Sequence, residues 1–93
     1  MKLEIITPEG SVFTGEVTAV TLPGLDGVFQ VLNNHAPIIS SLKQGEVKVE
    51  VDSKFDTTKL NENVKVDKSN IIHVAIKGGV AELINNKLII LAE

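Results

Sequence analysis

Two histidines, His35 and His73, are the side chains of this sequence best suited to acid–base chemistry or metal binding near neutral pH. Nucleophilic catalysis would need a serine and a carboxylate placed around one of them in a recognisable motif, and the sequence has none. The absence of cysteine excludes a thiol nucleophile, a cysteine zinc site and a disulfide framework. Neither histidine has a companion ligand at metal-binding spacing. We therefore predict no catalytic residue, no metal site and no cofactor.

A short Gly-x-x-Gly pattern, formed by Gly24 and Gly27, is the one feature that could suggest a phosphate-binding loop. It is too short for a P-loop or a dinucleotide fingerprint, and no helix follows to bring its N-terminus to a phosphate. The pattern instead indicates a shaped turn between strands, because glycine permits a positive φ and a close backbone approach.

The two histidines differ in their surroundings. His73 lies in an apolar segment, Ile71–Ile76, that is typical of a strand, and we interpret it as a surface or rim histidine. His35 directly precedes Ala36 and Pro37, and a proline favours extended geometry in the residue before it. Two compatible interpretations stay open for His35: a loop histidine bonded to nearby backbone, or an exposed contact at a protein interface.

The composition is that of one soluble globular domain covering residues 1–93, with 43% hydrophobic and 23% charged residues. Aromatic residues make up only 3%, which provides no stacking platform for bases or sugars. A net charge of −3 without a basic block argues against a nucleic-acid partner. No signal peptide is apparent, and no apolar run reaches the roughly 18 residues of a membrane-spanning helix. We therefore expect any membrane association to depend on a partner protein.

Apolar and polar residues alternate along most of the chain, which is the period of a β-strand with one buried face. No window has a helical pattern, and turn residues recur at short intervals, as in antiparallel sandwiches and barrels. Asn85-Asn86 suits a tight hairpin, Gly78-Gly79 a turn or bulge, and the polar stretch Asp52–Asn70 a long hairpin excursion. The predicted strands are Lys2–Thr7, Ser11–Leu22 with a break near Gly15, Gly27–Leu32, Ile38–Leu42, Gly45–Val51, Val64–Val66, Ile71–Ile76, Val80–Ile84 and Lys87–Leu91.

Three blocks of the sequence, in the same order, resemble the N-terminal β-sandwich of F-type ATP synthase epsilon subunits. The first is LEIITPEGSVFTGEVTAVTLPG, the most specific is PGLDGVFQVLNNHAPIISSLKQG, and the last is IKGGVAELINNKLIILAE. The resemblance covers nearly the whole chain. It implies an all-β fold, a flattened antiparallel β-sandwich of about ten short strands.

The same resemblance implies a function without chemistry of its own. Epsilon subunits are rotor subunits of the central stalk that link the gamma subunit to the ring of c subunits and support the coupling of proton transport to ATP synthesis. We therefore expect a peripheral location at the cytoplasmic face of the cell membrane. By the match, the interface residues near the ring are Gly24, Gly27, Val28, His35, Ala36 and Pro37.

The sequence departs from the family pattern in two places. Typical members continue into a C-terminal helical hairpin that inhibits ATP hydrolysis or binds ATP, whereas this sequence ends at Leu91-Ala92-Glu93, so neither role is carried over. The stretch Asp52–Asn70 is longer than the corresponding hairpin of the family. The alternative interpretation is a small all-β ligand-binding or adaptor module with a concave pocket.

Overall fold

The computed structural model describes residues 1–52, 64–67 and 69–93, and these residues form ten β-strands and no helix. It follows that no described helix could cross a membrane. The sequence predictions of strand content are confirmed, including the weak strand at residues 64–66, while residues 53–63 and 68 of the predicted hairpin excursion lie outside the described part. The strands are β1 (Lys2–Thr7), β2 (Gly10–Glu16), β3 (Ala19–Gly24), β4 (Gly27–Leu32), β5 (Ile38–Leu42), β6 (Gly45–Glu50), β7 (Val64–Val66), β8 (Ile71–Ile76), β9 (Gly79–Ile84) and β10 (Lys87–Ala92).

The strands follow one another in space in the order β2-β1-β10-β9-β5-β3-β6-β8-β7, with β4 paired to β3. Every pairing is antiparallel except that of β1 with β10, which is parallel. The predicted β-sandwich is confirmed with this one exception. Antiparallel neighbours can be joined by short turns, whereas a parallel pair needs a long connection, which here is almost the whole chain.

The predicted segment from Ser11 to Leu22 is divided at Val17-Thr18, two residues later than expected. The Val17 nitrogen donates a 2.8 Å hydrogen bond to the carbonyl of Met1, and the Thr18 nitrogen donates one of 2.8 Å to the carbonyl of Glu50 on β6. The backbone therefore changes its pairing partner between these two residues, from the residue that precedes β1 to the last residue of β6. A change of pairing partner leaves no signal in the composition. The glycine at position 15 is a recognisable strand breaker, and the predicted break was therefore placed there.

Among the described residues, the buried core is aliphatic apart from Phe13, as the low aromatic content predicts. Its members come from alternate positions of the strands, because successive side chains of a strand point to opposite faces. On β6, for example, Val47 and Val49 are fully buried, while Glu46, Lys48 and Glu50 are exposed. The largest fully buried side chains are Leu3, Ile5, Leu22, Ile72, Leu83, Leu88 and Ile90.

Asparagines with positive φ shape several turns. Asn85 and Asn86, with φ values of 51° and 60°, form the tight primed hairpin that was predicted between β9 and β10. Asn34 has a φ of 63° and directs the chain away from β4 into the loop that carries His35. These turns position the residues considered next.

Candidate functional site

The predicted interface residues Gly24, Gly27 and Val28 lie in the β3–β4 hairpin. Gly24 and Gly27 are register partners at its tip. A Cβ atom on Gly24 would lie 2.7 Å from the carbonyl oxygen of Gly27 and 2.9 Å from the Phe29 ring, while Gly27 has a φ of 132° that other residues rarely adopt. The geometry of the tip therefore requires glycine at both positions. Beside it, Val28 is 70% exposed.

The other three predicted residues, His35, Ala36 and Pro37, follow the opposite end of β4, and all three are exposed. A six-residue strand is about 20 Å long, so the structure does not gather the six residues into one spot. The two groups lie on one elongated face instead, because Val28 and Leu32 project outward near the two ends of β4 and are both exposed, with exposed Gln30 between them. We call the elongated surface formed by Leu25, Val28, Leu32, His35, Ala36 and Pro37 the foot surface.

His35 is bonded to backbone on both sides of its loop. Its own nitrogen donates to the Leu32 carbonyl at 3.2 Å, and its ring Nδ1 lies 2.7 Å from the Ala36 carbonyl oxygen. A carbonyl only accepts, so Nδ1 carries the hydrogen of this bond. The interpretation of His35 as a loop histidine bonded to nearby backbone is confirmed, and its exposure leaves the interface interpretation compatible with the structure.

A hydrogen-bond network braces the loop that contains His35. The Asn34 nitrogen donates to the Asn86 side-chain oxygen at 2.8 Å, and the Asn86 amide donates to the Asn33 side-chain oxygen at 3.3 Å. The Asn33 oxygen also accepts a hydrogen bond from the Met1 amino group. Sequence reasoning identified Asn86 only as a turn residue, since nothing in one sequence links positions 33 and 34 to position 86.

A second apolar surface covers the outward face of β5, β9 and β10. Its members are Ile39, Val80, Ile84 and Leu91, all exposed, with Ile39 the most exposed at 75%. Ile39 is the register partner of Glu82, which lies between Val80 and Ile84 on β9, and Leu91 is the partner of Val80. We call these four residues the sheet surface. Contiguous apolar exposure of this kind marks protein–protein contact sites.

A shallow groove of about 390 Å³ joins the two surfaces, and its lining residues are Pro37, Ile38, Ile39, Glu82, Leu83 and Ile84. Glu82 is the only charged side chain in that lining, so the groove lacks the converging polar groups of a small-molecule site. Among residues 1–52, 64–67 and 69–93, no three potential ligands are placed to hold a metal ion. This geometry does not favour the alternative of a ligand-binding module.

His73 takes part in a separate polar cluster on the outward face of β6 and β8. Its Nδ1 lies 3.1 Å from Oε1 of Glu46, and its Nε2 lies 2.8 Å from Oδ2 of Asp67. Hydrogen bonds to Asp67 and then to Glu46 raise the pKa of His73 above its ordinary value of 6.5. The hydrogen bond from His73 and that from the Ile71 nitrogen lower the pKa of Asp67 below 3.8. The prediction of a rim histidine is confirmed, but its two partners were not foreseen.

A β-domain whose exposed large apolar residues fall mainly on two surfaces, and whose described part has no cluster of metal ligands, has the features of a protein-contact module. Comparison with known proteins identifies the kind of module: residues 1–64 match the family model of the ATP synthase, Delta/Epsilon chain, beta-sandwich domain. The chain is 38% identical over 92 residues to an ATP synthase epsilon chain of Chlorobium limicola, covering 99% of this chain and 88% of the relative. It is 40% identical over 93 residues to one of Campylobacter curvus, covering 100% of this chain and 60% of the longer relative.

The fold is also found in solved ATP synthases. The mitochondrial ATP synthase central stalk/c-ring structure of Tetrahymena thermophila contains a chain that aligns with a TM-score of 0.73 at 13% identity, over 99% of this chain and 62% of that one. The chain belongs to the ATP synthase epsilon chain family. This membership confirms the predicted function as a subunit of an ATP synthase that is not catalytic by itself.

Proposed function

We propose that this chain joins the gamma subunit to the ring of c subunits in the central stalk, so that rotation driven by proton transport reaches the sites of ATP synthesis. The observation that carries the proposal is the distribution of exposed apolar residues. Of the eight exposed large hydrophobic residues in the described part, seven lie on the foot surface or the sheet surface, and the eighth is Val66. Single scattered residues would need no explanation, but two connected groups point to two partners.

The foot surface is the proposed contact with the c-ring. The residues matched to the family's ring-facing region, from Gly24 to Pro37, all lie along β4 or at its ends. A contact that transmits torque has to be stiff, and this one is held by the glycine tip at one end. At the other end, the asparagine network ties the loop to the β9–β10 turn. The His35 ring and Asp26 add polar groups at the two ends of this surface, and exposed Gln30 adds one between Val28 and Leu32.

The sheet surface is the proposed contact with gamma. It spans three neighbouring strands, and a stable interface typically buries about 800 Å² on each partner, which favours a broad sheet face over a loop. Glu82 lies at its centre and is exposed, so a basic residue on gamma would complement it. The groove through Pro37 and Ile39 makes the two contacts continuous.

The proposed location follows from these contacts. ATP synthase is a membrane-bound complex, and the proposed contact with the c-ring would place this chain beside the membrane. We propose that this chain lies peripherally at the cytoplasmic face of the cell membrane.

Site-directed cross-linking tests the contact with the c-ring, and the lack of native cysteine makes single-cysteine variants unambiguous. We expect Val28→Cys and His35→Cys to form cross-links with subunit c in the assembled enzyme. Thr14→Cys, on the exposed face of β2, is the control and should form none. Cross-linking of Thr14→Cys to subunit c, with none at the other two positions, would contradict the assignment.

Binding to purified gamma subunit tests the sheet surface. We expect Ile84→Asp and Leu91→Asp to weaken the association at least tenfold, because each places a charge in a contact that must lose water. Lys77→Asp, an exposed substitution at the end of β8, should leave the affinity within about twofold. Equal affinities for all three variants would exclude the sheet surface as the gamma contact.

A further inference from the structure

The His73 side chain bridges two carboxylates that belong to different elements. Its Nδ1 lies 3.1 Å from Oε1 of Glu46 on β6, and its Nε2 lies 2.8 Å from Oδ2 of Asp67, the residue after β7. Ionised carboxylates only accept hydrogen bonds, so both bonds exist together only when both ring nitrogens carry hydrogen. The geometry is therefore that of an imidazolium, and a neutral ring must give up one of the two bonds.

The Asp67 carboxylate also forms hydrogen bonds within the turn between β7 and β8. Its Oδ1 accepts hydrogen bonds from the backbone nitrogens of Ser69 at 2.8 Å and Ile71 at 3.1 Å, which closes the turn between β7 and β8. Its own nitrogen donates to the Ile71 carbonyl at 3.0 Å. One carboxylate thus holds the turn with one oxygen and His73 with the other. Loss of the hydrogen bond to His73 therefore also weakens the position of the carboxylate that closes the turn.

Among the residues that the structure describes, few contacts hold the strand that this turn supports. β7 has three residues and pairs with β8 alone among the described strands. Its Val64 packs against the core, but Lys65 and Val66 are exposed. Few buried contacts and an edge position are the features of a segment that opens locally. The bridge from β6 through His73 to Asp67 ties this edge hairpin to the interior of the sheet.

We propose that His73 is a pH-sensitive latch that holds the β7–β8 turn and the short strand β7 in place while its imidazole is protonated, and that loosens them when the proton is lost. The inference stands on the bridging geometry and does not depend on the proposed function. Its consequence is a sheet edge, at the β7 end of the described strand order, whose opening follows pH above the ordinary histidine pKa of 6.5.

Other charges surround the latch. Lys48 on β6 and Lys65 on β7 are both register partners of His73, and these cations favour the neutral ring. Glu50, beside Lys48 on the same face of β6, favours the imidazolium, and Lys77 lies at the end of β8 itself. The direct bonds to Asp67 and Glu46 prevail over the lysines, since the pKa of His73 is raised.

The direction of the pH dependence follows from that shift. A histidine with a raised pKa in the folded state contributes its full stabilisation below its ordinary value of 6.5 and loses it as the pH rises through the raised pKa. Asp67, whose pKa is lowered, contributes above 3.8 and loses its contribution as the pH falls through its lowered pKa. The latch is therefore closed at pH values between 3.8 and 6.5. It opens at higher pH, when His73 loses its second ring proton.

Amide hydrogen exchange, corrected for the intrinsic pH dependence of exchange, tests the latch in the intact chain. We expect the protection of the Ser69 and Ile71 amides to fall about two- to fivefold between pH 5.5 and pH 8.5, the range expected for an exposed ion pair. Protection of Leu88 and Ile90 on β10 should stay constant. His73→Gln should abolish the fall, and Glu46→Gln should reduce it. His35→Gln, in a distant loop, is the matched control and should behave like the wild type.

Three results would overturn the proposal. Equal protection of Ser69 and Ile71 at both pH values would show that the hairpin does not respond to pH. An unchanged fall in His73→Gln would assign the response to another group. A parallel loss of protection on β10 would show global unfolding instead of local release.

Discussion

The backbone nitrogen of Asn34 donates a 2.8 Å hydrogen bond to the side-chain oxygen of Asn86, 52 residues later in the chain. The bond joins the loop after β4 to the turn between β9 and β10. Because the Asn86 amide also reaches Asn33, one side chain contacts two consecutive loop residues. The loop that presents His35 therefore takes its position from the last hairpin of the domain.

Removing the Asn86 side chain should loosen this loop. Asn86→Gly keeps the positive φ of the turn but loses both side-chain bonds, so we expect a loss of about 1–2 kcal/mol in the free energy of unfolding. Urea denaturation measures the loss, and exchange at the Asn34 and His35 amides should become faster. Asn85→Gly, at the neighbouring positive-φ position, is the matched control and should change neither quantity in this way. Equal destabilisation by both variants would assign the effect to the turn and not to the network.

Adjacent residues on β9 should differ sharply in their contribution to stability. Leu83 is 1% exposed and Ile84 is 53% exposed, because successive residues of the strand point to opposite faces. Leu83→Ala should cost about 2–5 kcal/mol through lost burial and the cavity left behind. Ile84→Ala should stay within about 0.5 kcal/mol. Thermal and urea unfolding of the two variants would compare them directly, and similar losses would mean that the register of β9 is misassigned.

The tip of the β3–β4 hairpin should not tolerate a methyl group on Gly24. The added Cβ would meet the Gly27 carbonyl and the Phe29 ring, so we expect Gly24→Ala to cost about 1–3 kcal/mol. Val28→Thr, which keeps a β-branched side chain at an exposed position of the same hairpin, should change stability by less than about 0.5 kcal/mol. Chemical denaturation provides the values. A neutral Gly24→Ala would show that the hairpin tip relaxes more freely than its packing indicates.

The β7–β8 turn should also weaken on the acid side. The lowered pKa of Asp67 means that its stabilising contribution, present above 3.8, is lost as the pH falls through the lowered value. NMR of the Ser69 and Ile71 amides should therefore show the turn loosening in acid. Asp67→Asn should lack this transition, whereas Asp26→Asn, in the distant β3–β4 turn, should retain it. Persistence of the transition in Asp67→Asn would assign it to a different carboxyl group.

Much of the fold could be predicted because its signals are local. Alternation on β6 predicted which valines are buried, and paired asparagines predicted the β9–β10 hairpin, since both depend on neighbours along the chain. The predicted division between β2 and β3 was misplaced by two residues. Its position depends on the hydrogen bond from the Thr18 nitrogen to the carbonyl of Glu50, which lies on a distant strand. The parallel pairing of β1 with β10 left no local signal at all.

The foot residues show the same division between local and distant information. The glycines, Val28 and the His-Ala-Pro triplet could be selected from sequence, because their spacing resembles a family pattern. In the structure, β4 separates these residues into two groups at its two ends, and Asn86 braces one of the two groups. Both features depend on packing between strands that are remote in sequence. The partners of His73 were missed for the same reason, since Glu46 lies 27 residues away.

The sequence by itself determined an all-β fold class, an aliphatic core, most strand positions and the family to which the chain belongs. These properties depend on residue type and on a period of two, both of which can be read along the chain. The tertiary structure alone decided how the apolar exposures combine into a foot surface and a sheet surface, and which charges meet at His73. Such groupings arise when strands distant in sequence become neighbours in a sheet, and a single sequence contains no direct record of those pairings.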